Sequence, residues 1–241
     1  MNNPQISIVI PTFNEADNIA PLVSMIGDVL EPIHVTYELI YVDDSNDTTP
    51  NVIEKIALED EHVSLIHRPK ERRTGLATAF LEGFTVAKAP YVFCMDGDLQ
   101  HPPQLLPALL QELEEDGVGL VVASRFYKGG SDRGFNELHR RIFSKIFQFM
   151  VWTVLPATRK TSDPMTGFFA FKSYLIAPYL KQMHPLGFKI LIEILVRVPN
   201  LVVRDIPLTF RERTSGISKA SIKVAIALMQ QVIRLLVSAP K

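Results

Sequence analysis

Gln5 to Ile10 is a continuous apolar run closed by Pro11, and a helical pattern beginning at Asn14 or Glu15 continues to about Leu30. The unit then repeats. Tyr37 to Val42 is a second apolar run, ending in Asp43-Asp44-Ser45, and Thr48 or Thr49 can cap the helix that follows to about Leu58. Val63 to His67 is a short third run, and Thr74 to Ala87 reads as a helix with Leu76, Phe80, Phe84 and Ala87 on one face. Ala89 to Cys94 has strand character, Gln104 to Glu115 is helical, and Gly117 to Ala123 is apolar again. Strands that are apolar throughout, alternating with helices over short connections, predict an α/β fold with a doubly wound, mostly parallel sheet. Right-handed crossovers would then bring Pro11, Asp43 and Asp96 to a common edge, where such sheets bind ligands.

With 241 residues the chain fits one large α/β domain, or one domain with an appendage. Its net charge of -1 speaks against a nucleic-acid partner. The single cysteine, Cys94, rules out an intramolecular disulfide and reads as a buried core residue. No basic-then-apolar signal segment opens the sequence, and no run reaches the roughly 18 uncharged apolar residues of a spanning helix.

Neither G-x-G-x-x-G nor G-x-x-x-x-G-K-[ST] occurs, which weakens a dehydrogenase or P-loop reading. The strand ends carry other chemistry. Asp96-Gly97-Asp98-Leu99-Gln100 offers two carboxylates and an amide from one tight turn, hard oxygen ligands suited to Mg²⁺ or Mn²⁺ when a diphosphate supplies the rest. Gly97 lets backbone and ligand come close. An Asp-rich turn before the next helix is the plain alternative. Pro11, Phe13 and Glu15 at the first edge, with Val42, Asp43 and Asp44 at the second, could stack on a base and bind a ribose. Asp43 and Asp44 could equally be turn formers, and Glu15 a first-turn acid favoured by the helix dipole.

Pro11-Thr12-Phe13-Asn14-Glu15, Val42-Asp43-Asp44-Ser45 and Asp96-Gly97-Asp98-Leu99-Gln100-His101-Pro102 together resemble the family 2 inverting glycosyltransferases, whose fold is the Rossmann-related GT-A type. Further segments narrow the likeness to the dolichol- or polyprenyl-phosphate mannose synthases. These are Ser124-Arg125-Phe126, Arg140-Arg141-Ile142-Phe143-Ser144, Asp163-Pro164-Met165-Thr166-Gly167-Phe168-Phe169, Gly187-Phe188-Lys189 and Arg213-Thr214-Ser215-Gly216-Ile217-Ser218-Lys219. The likeness runs from Ile6 to about Lys219. It implies transfer of a sugar, mannose from GDP-mannose first among them, to the phosphate of a polyprenol with inversion. A UDP-sugar donor or a saccharide hydroxyl acceptor are the alternatives.

The same resemblance implies roles. Asp98 and Gln100 would ligate the metal with Asp96 in support, and Pro11, Phe13, Glu15, Val42, Asp44 and Gly97 would surround the nucleotide with Asp43 beside them. Arg125, Arg140 and Ser144 would meet the acceptor phosphate; spacing at i, i+4 puts the last two on one side of a helix. Lys189 would lie near the donor diphosphate, although Lys189 and Glu193 share the spacing of an ordinary helix salt bridge. Arg213 and Lys219 would belong to a basic loop that closes as a lid. A phosphate acceptor needs no general base. A hydroxyl acceptor would, and Asp163 is the one candidate, with a turn, a cap or shaping of the acceptor site as its other readings.

His139 to Leu155 and Ile222 to Val237 are rich in large apolar groups flanked by Arg and Lys, the pattern of helices that lie in a bilayer interface. Their apolar faces could instead pack on the domain or on each other. The expectation is a catalytic domain over 1–212, and a basic loop with a C-terminal amphipathic helix over 213–241. Such a protein would sit peripherally on the cytoplasmic face of a membrane, directly or through a membrane-anchoring partner, or lack further transmembrane helices.

Overall fold

A computed structural model describes residues 3–131, 138–184, 189–209 and 222–238, with side chains at 138–144, 222–225 and 238 outside the description. The chain runs β1 (Ile6–Thr12), α1 (Ala16–Leu30), β2 (Tyr37–Asp43), α2 (Thr49–Glu59), β3 (Val63–His67), α3 (Leu76–Val86), β4 (Tyr91–Cys94), α4 (Leu106–Glu114) and β5 (Leu120–Ser124). It continues through α5 (Leu138–Val154), β6 (Phe169–Lys172), the single turn α6 (Ser173–Ile176), α7 (Ile190–Arg197), β7 (Val203–Pro207) and α8 (Ile222–Ser238).

Seven strands form one sheet in the order β3-β2-β1-β4-β6-β5-β7. β3, β2, β1 and β4 are parallel neighbours, and β5 pairs in parallel with β7. β6 enters antiparallel between β4 and β5. The alternating pattern therefore gives the parallel part correctly. It gives no sign of β6, because Phe169–Lys172 is only four residues long and follows a turn-rich segment.

The central strands are apolar throughout because both faces are covered. Ile6, Ile8 and Ile10 of β1 face a core with Leu22 and Ile26 of α1 and Leu109 of α4. Val9 points the other way, into a core with Phe80 and Phe84 of α3 and Leu191 and Ile194 of α7. Thr48 is the N-cap of α2, as expected, but its side chain makes no cap hydrogen bond; Asp47 Oδ1 instead accepts from Thr49 N at 3.0 Å and Thr49 Oγ1 at 2.6 Å. A carboxylate there also favours the positive helix end.

Cys94 lies in the second core with no exposed surface, and burial followed by the Asp96 charge holds its thiol well above the usual range. The native protein is expected to leave a disulfide reagent such as DTNB unreacted at pH 8 and to react stoichiometrically once denatured. Rapid native labelling would contradict this burial.

α5 and α8 settle the two readings of the apolar helices in part. Val151 and Leu155 of α5, Ile192 of α7, and Leu228, Val232 and Leu235 of α8 form a third core. A second face stays open, with Ile146 and Phe149 of α5 and Ile226, Met229, Ile233, Leu236 and Val237 of α8 exposed. Among the described residues, no helix is long and apolar enough to cross a membrane.

Candidate active site

The parallel register aligns Pro11 with Val42 and Thr12 with Asp43, while Val9 faces Cys94 two residues before Asp96. The ends expected on one edge are on one edge. Antiparallel β6 adds its entry to the same side, since Phe169 pairs with both Cys94 and Val122. The edge therefore gathers Arg68, Asp44, Phe13, Asp96, Gly167 and Arg125.

At its left side the two acidic residues separate in role. Asp43 is fully buried, with Oδ1 accepting from the hydroxyls of Thr12 at 2.7 Å and Ser45 at 2.5 Å, and Oδ2 bonded to His67 Nδ1 at 2.7 Å. It ties β1, β2 and β3 together with its carboxylate fully engaged, so any place it has beside the nucleotide is structural and next to Asp44. Asp44 meets Arg68, a guanidinium 1 % exposed, through Nε at 2.7 Å and Nη2 at 2.5 Å. Arg68 also donates to Thr78 Oγ1 and Gly75 O, so all its sides are braced. Sequence reading missed this arginine; its position just beyond β3, on the same edge as two carboxylates, was the available signal. Phe13, just after the end of β1, is 38 % exposed. Asn14, at φ 58°, locks the neighbouring turns by accepting from Asn46 N with Oδ1 and donating its own N–H to Ser45 Oγ. Glu15 precedes α1 without capping it and accepts from Asn18 Nδ2 at 2.6 Å.

The turn after β4 is held in a strained form, with Leu99 at φ 64° between Asp98 and Gln100. Gln100 N donates to Asp98 Oδ1 at 3.2 Å, and both side chains are nearly buried. Asp96 N donates to His101 Nδ1 at 2.9 Å, so His101 carries its proton on Nε2, 3.8 Å from Asp96 Oδ2. His101 stacks on Phe168 at 5.0 Å. Burial lowers its pKa, outweighing the nearby Asp96 and Asp98. An imidazole kept neutral when folded but protonated when unfolded, below about pH 6.5, removes stability as pH falls through that range. His101→Asn keeps an acceptor for Asp96 N, and its melting temperature is expected to drop less between pH 7.5 and 5.5 than that of the parent.

Asp96 Oδ1 is buried with no hydrogen-bond partner among the described residues, an acceptor left for a cation or a donor to satisfy. Among those residues no three His, Cys, Asp or Glu side chains form a closed metal centre. Two carboxylates and an amide make an open set instead, fitting a divalent ion whose other ligands are phosphate oxygens and water. Gly167 guards this space: a Cβ there would lie 2.9 Å from Asp96 Oδ1. Gly167→Ala is expected to displace the Asp96 carboxylate and lower activity about a hundredfold with little loss of stability, read from kcat/KM and thermal melts.

Opposite lies a cationic side. Arg125, 8 % exposed, meets the fully buried Asp163 through Nε at 2.7 Å and Nη2 at 2.8 Å. Both Asp163 oxygens accept from Arg125, so its carboxylate braces the guanidinium. Burial, and then Arg125, hold the Lys189 ammonium below the usual lysine value, while Asp96 and Asp163 pull the other way. Lys189 immediately precedes α7, and its carbonyl accepts from Gln231 of α8 at 3.0 Å. The salt bridge considered between Lys189 and Glu193 is not the one Glu193 makes: its partner is Arg197, at 2.5 Å. Arg140 and Ser144 lie on α5 with undescribed side chains, and Arg213 and Lys219 lie outside the described residues.

Residues 7–177 match the model of Glycosyl transferase family 2. The chain belongs to that family. Within it, this family 2 chain is 34% identical over 233 residues to a dolichol-phosphate mannosyltransferase from Pyrococcus furiosus, covering 96% of this chain and 64% of that protein. A Saccharomyces cerevisiae protein of the same name is 36% identical, with 93% of this chain and 84% of the yeast protein covered. In fold, a glucosyl-3-phosphoglycerate synthase from Mycobacterium tuberculosis, solved with Mn²⁺, UDP and glucosyl-3-phosphoglycerate, aligns with a TM-score of 0.68 at 21% identity. That alignment covers 99% of this chain and 81% of the other, and bears out the GT-A-like α/β architecture.

Proposed function

We propose that this family 2 protein transfers mannose from GDP-mannose to the phosphate of a polyprenol, with a divalent metal and at a membrane surface. The observation that carries the reading is the meeting of an orphaned Asp96 oxygen, packed against Gly167, with two cations whose charges act on the same edge, the buried Arg125 and Lys189. Two phosphate groups must approach one another for such a transfer, and each needs neutralising from its own side. Asp98 and Gln100, with Asp96 beside them, would hold Mg²⁺ or Mn²⁺, which when bound supplies charge neutralisation to the leaving diphosphate. Arg68 holds Asp44, and with Phe13, Glu15, Pro11 and Val42 this side takes the nucleotide. Arg125, fixed by Asp163, takes the acceptor phosphate together with Arg140 and Ser144 of α5. An ionised phosphate oxygen attacks without a base, in keeping with Asp163 being fully engaged. Arg213 and Lys219, outside the described residues, would add positive charge toward the diphosphate.

The open apolar face of α5 and α8 supports peripheral seating on the lipid that contains the acceptor. A membrane-anchoring partner would use the same face.

The test offers the purified protein a panel of radiolabelled GDP- and UDP-sugars with a short-chain polyprenyl phosphate and Mn²⁺ or Mg²⁺, and counts label in the organic phase. Label from GDP-mannose alone, lost on chelation, is expected. Label from a UDP-sugar would move the donor, and nucleotide binding with no organic-phase label from any donor would contradict the acceptor.

A further inference from the structure

Thr161, Ser162 and Asp163 form a hub between β5, β7 and α5, and the direction of its hydrogen bonds can be read. Ser162 N and Ser162 Oγ both donate to Asp205 Oδ2 on β7, at 2.7 and 2.5 Å. Ser162 has then used its only hydroxyl proton, so in the 2.6 Å contact with Ser124 it is Ser124 that donates. Ser124 Oγ in turn accepts from Phe126 N at 3.1 Å and Tyr127 N at 3.0 Å. A second chain runs in parallel. Asp163 N donates to Thr161 Oγ1 at 3.1 Å, and Thr161 Oγ1 donates to Asp205 Oδ1 at 2.6 Å.

Both chains end on one carboxylate, and both enclose Arg125. One fixes the backbone immediately after it; the other fixes Asp163, which accepts from Arg125 N at 3.2 Å as well as from the guanidinium. α5 adds a clamp, Gln148 Nε2 donating to Ser162 O. We infer that Asp205 is the positioning residue for Arg125: as the terminal acceptor of two directed hydrogen-bond chains, it sets where the guanidinium meets the acceptor phosphate.

An amide cannot replace both bonds, because it presents one oxygen and an NH₂ donor group where two acceptor oxygens are needed. Asp205 lies two residues before Pro207, at the end of β7, beside Leu208 N donating to Ser124 O at 2.8 Å.

The inference rests on the reading of Arg125 as an acceptor-phosphate contact, and a double-mutant cycle tests the two separately. The full chain is assayed as Asp205→Asn, Thr161→Val, Arg125→Ala, and Asp205→Asn combined with Arg125→Ala. KM is measured for a short-chain polyprenyl phosphate and for GDP-mannose, GDP affinity by calorimetry, and folding by thermal melts. Asp205→Asn and Thr161→Val are each expected to raise the acceptor KM about tenfold, leaving GDP affinity within about twofold. In the Arg125→Ala background the Asp205→Asn effect disappears, since there is no guanidinium left to misplace. A merely structural carboxylate would instead lower both affinities together and add fully to Arg125→Ala, and that result overturns the proposal. An unmoved acceptor KM in Asp205→Asn beside a raised one in Arg125→Ala overturns it while sparing the acceptor reading. An unmoved acceptor KM in Arg125→Ala overturns both. Should Asp205→Asn not fold, Thr161→Val, which leaves the charge in place, takes its position in the cycle.

Discussion

Asp98→Asn is expected to lower turnover about a thousandfold, on the order of 4 kcal/mol of transition-state stabilisation, with the fold intact. Asparagine keeps an oxygen for the Gln100 N–H now bonded at 3.2 Å, so the turn has no reason to rearrange. What disappears is the negative charge on a nearly buried ligand position. The loss should show in the presence of metal only: GDP affinity falls with Mn²⁺ in the buffer and is unchanged without it. Near-normal rates in Asp98→Asn would remove the metal role from this turn.

Asp163→Ala should cost stability before it costs anything else. Arg125 would be left a buried cation without its counter-charge, a penalty of about 3–5 kcal/mol. For a domain of this size the melting temperature then falls by roughly 10 °C. Asp163→Ala combined with Arg125→Ala should melt higher than Asp163→Ala alone, because the unpaired charge goes with its side chain. Calorimetry on Asp163→Ala, Arg125→Ala and the double variant distinguishes this from simple loss of packing, where the double variant would be worst.

The two predictions fall on opposite sides of the boundary between what the sequence discloses and what it hides. Asp98 is legible because its chemistry is local: two carboxylates and an amide within five residues, at the end of an apolar run, need no tertiary information. The same holds for the parallel half of the sheet, where each strand is apolar on both faces and each connection is short. Arg125 was legible as a cation at a strand end, but its partner Asp163 lies 38 residues away, on the entry to an antiparallel strand with no periodic signature. Arg68 was hidden for a related reason. A lone arginine after a short edge strand looks like a solvated charge until the register sets it against Asp44. Asp43 and Asp44 are neighbours in sequence with the same side chain, yet the structure buries one as a strand tie and pairs the other with Arg68, a distinction only packing makes. The helices α5 and α8 each carry more apolar surface than one interface can use, so the pattern was compatible with packing and with membrane seating; the structure shows one face packed and one face open.

The most direct measurement of the central claim is anomalous diffraction from crystals grown with GDP and Mn²⁺. One manganese peak is expected within ligand distance of Asp98 and Gln100, with the diphosphate beside it. A manganese ion and diphosphate seated elsewhere, with the turn after β4 unliganded, would contradict it.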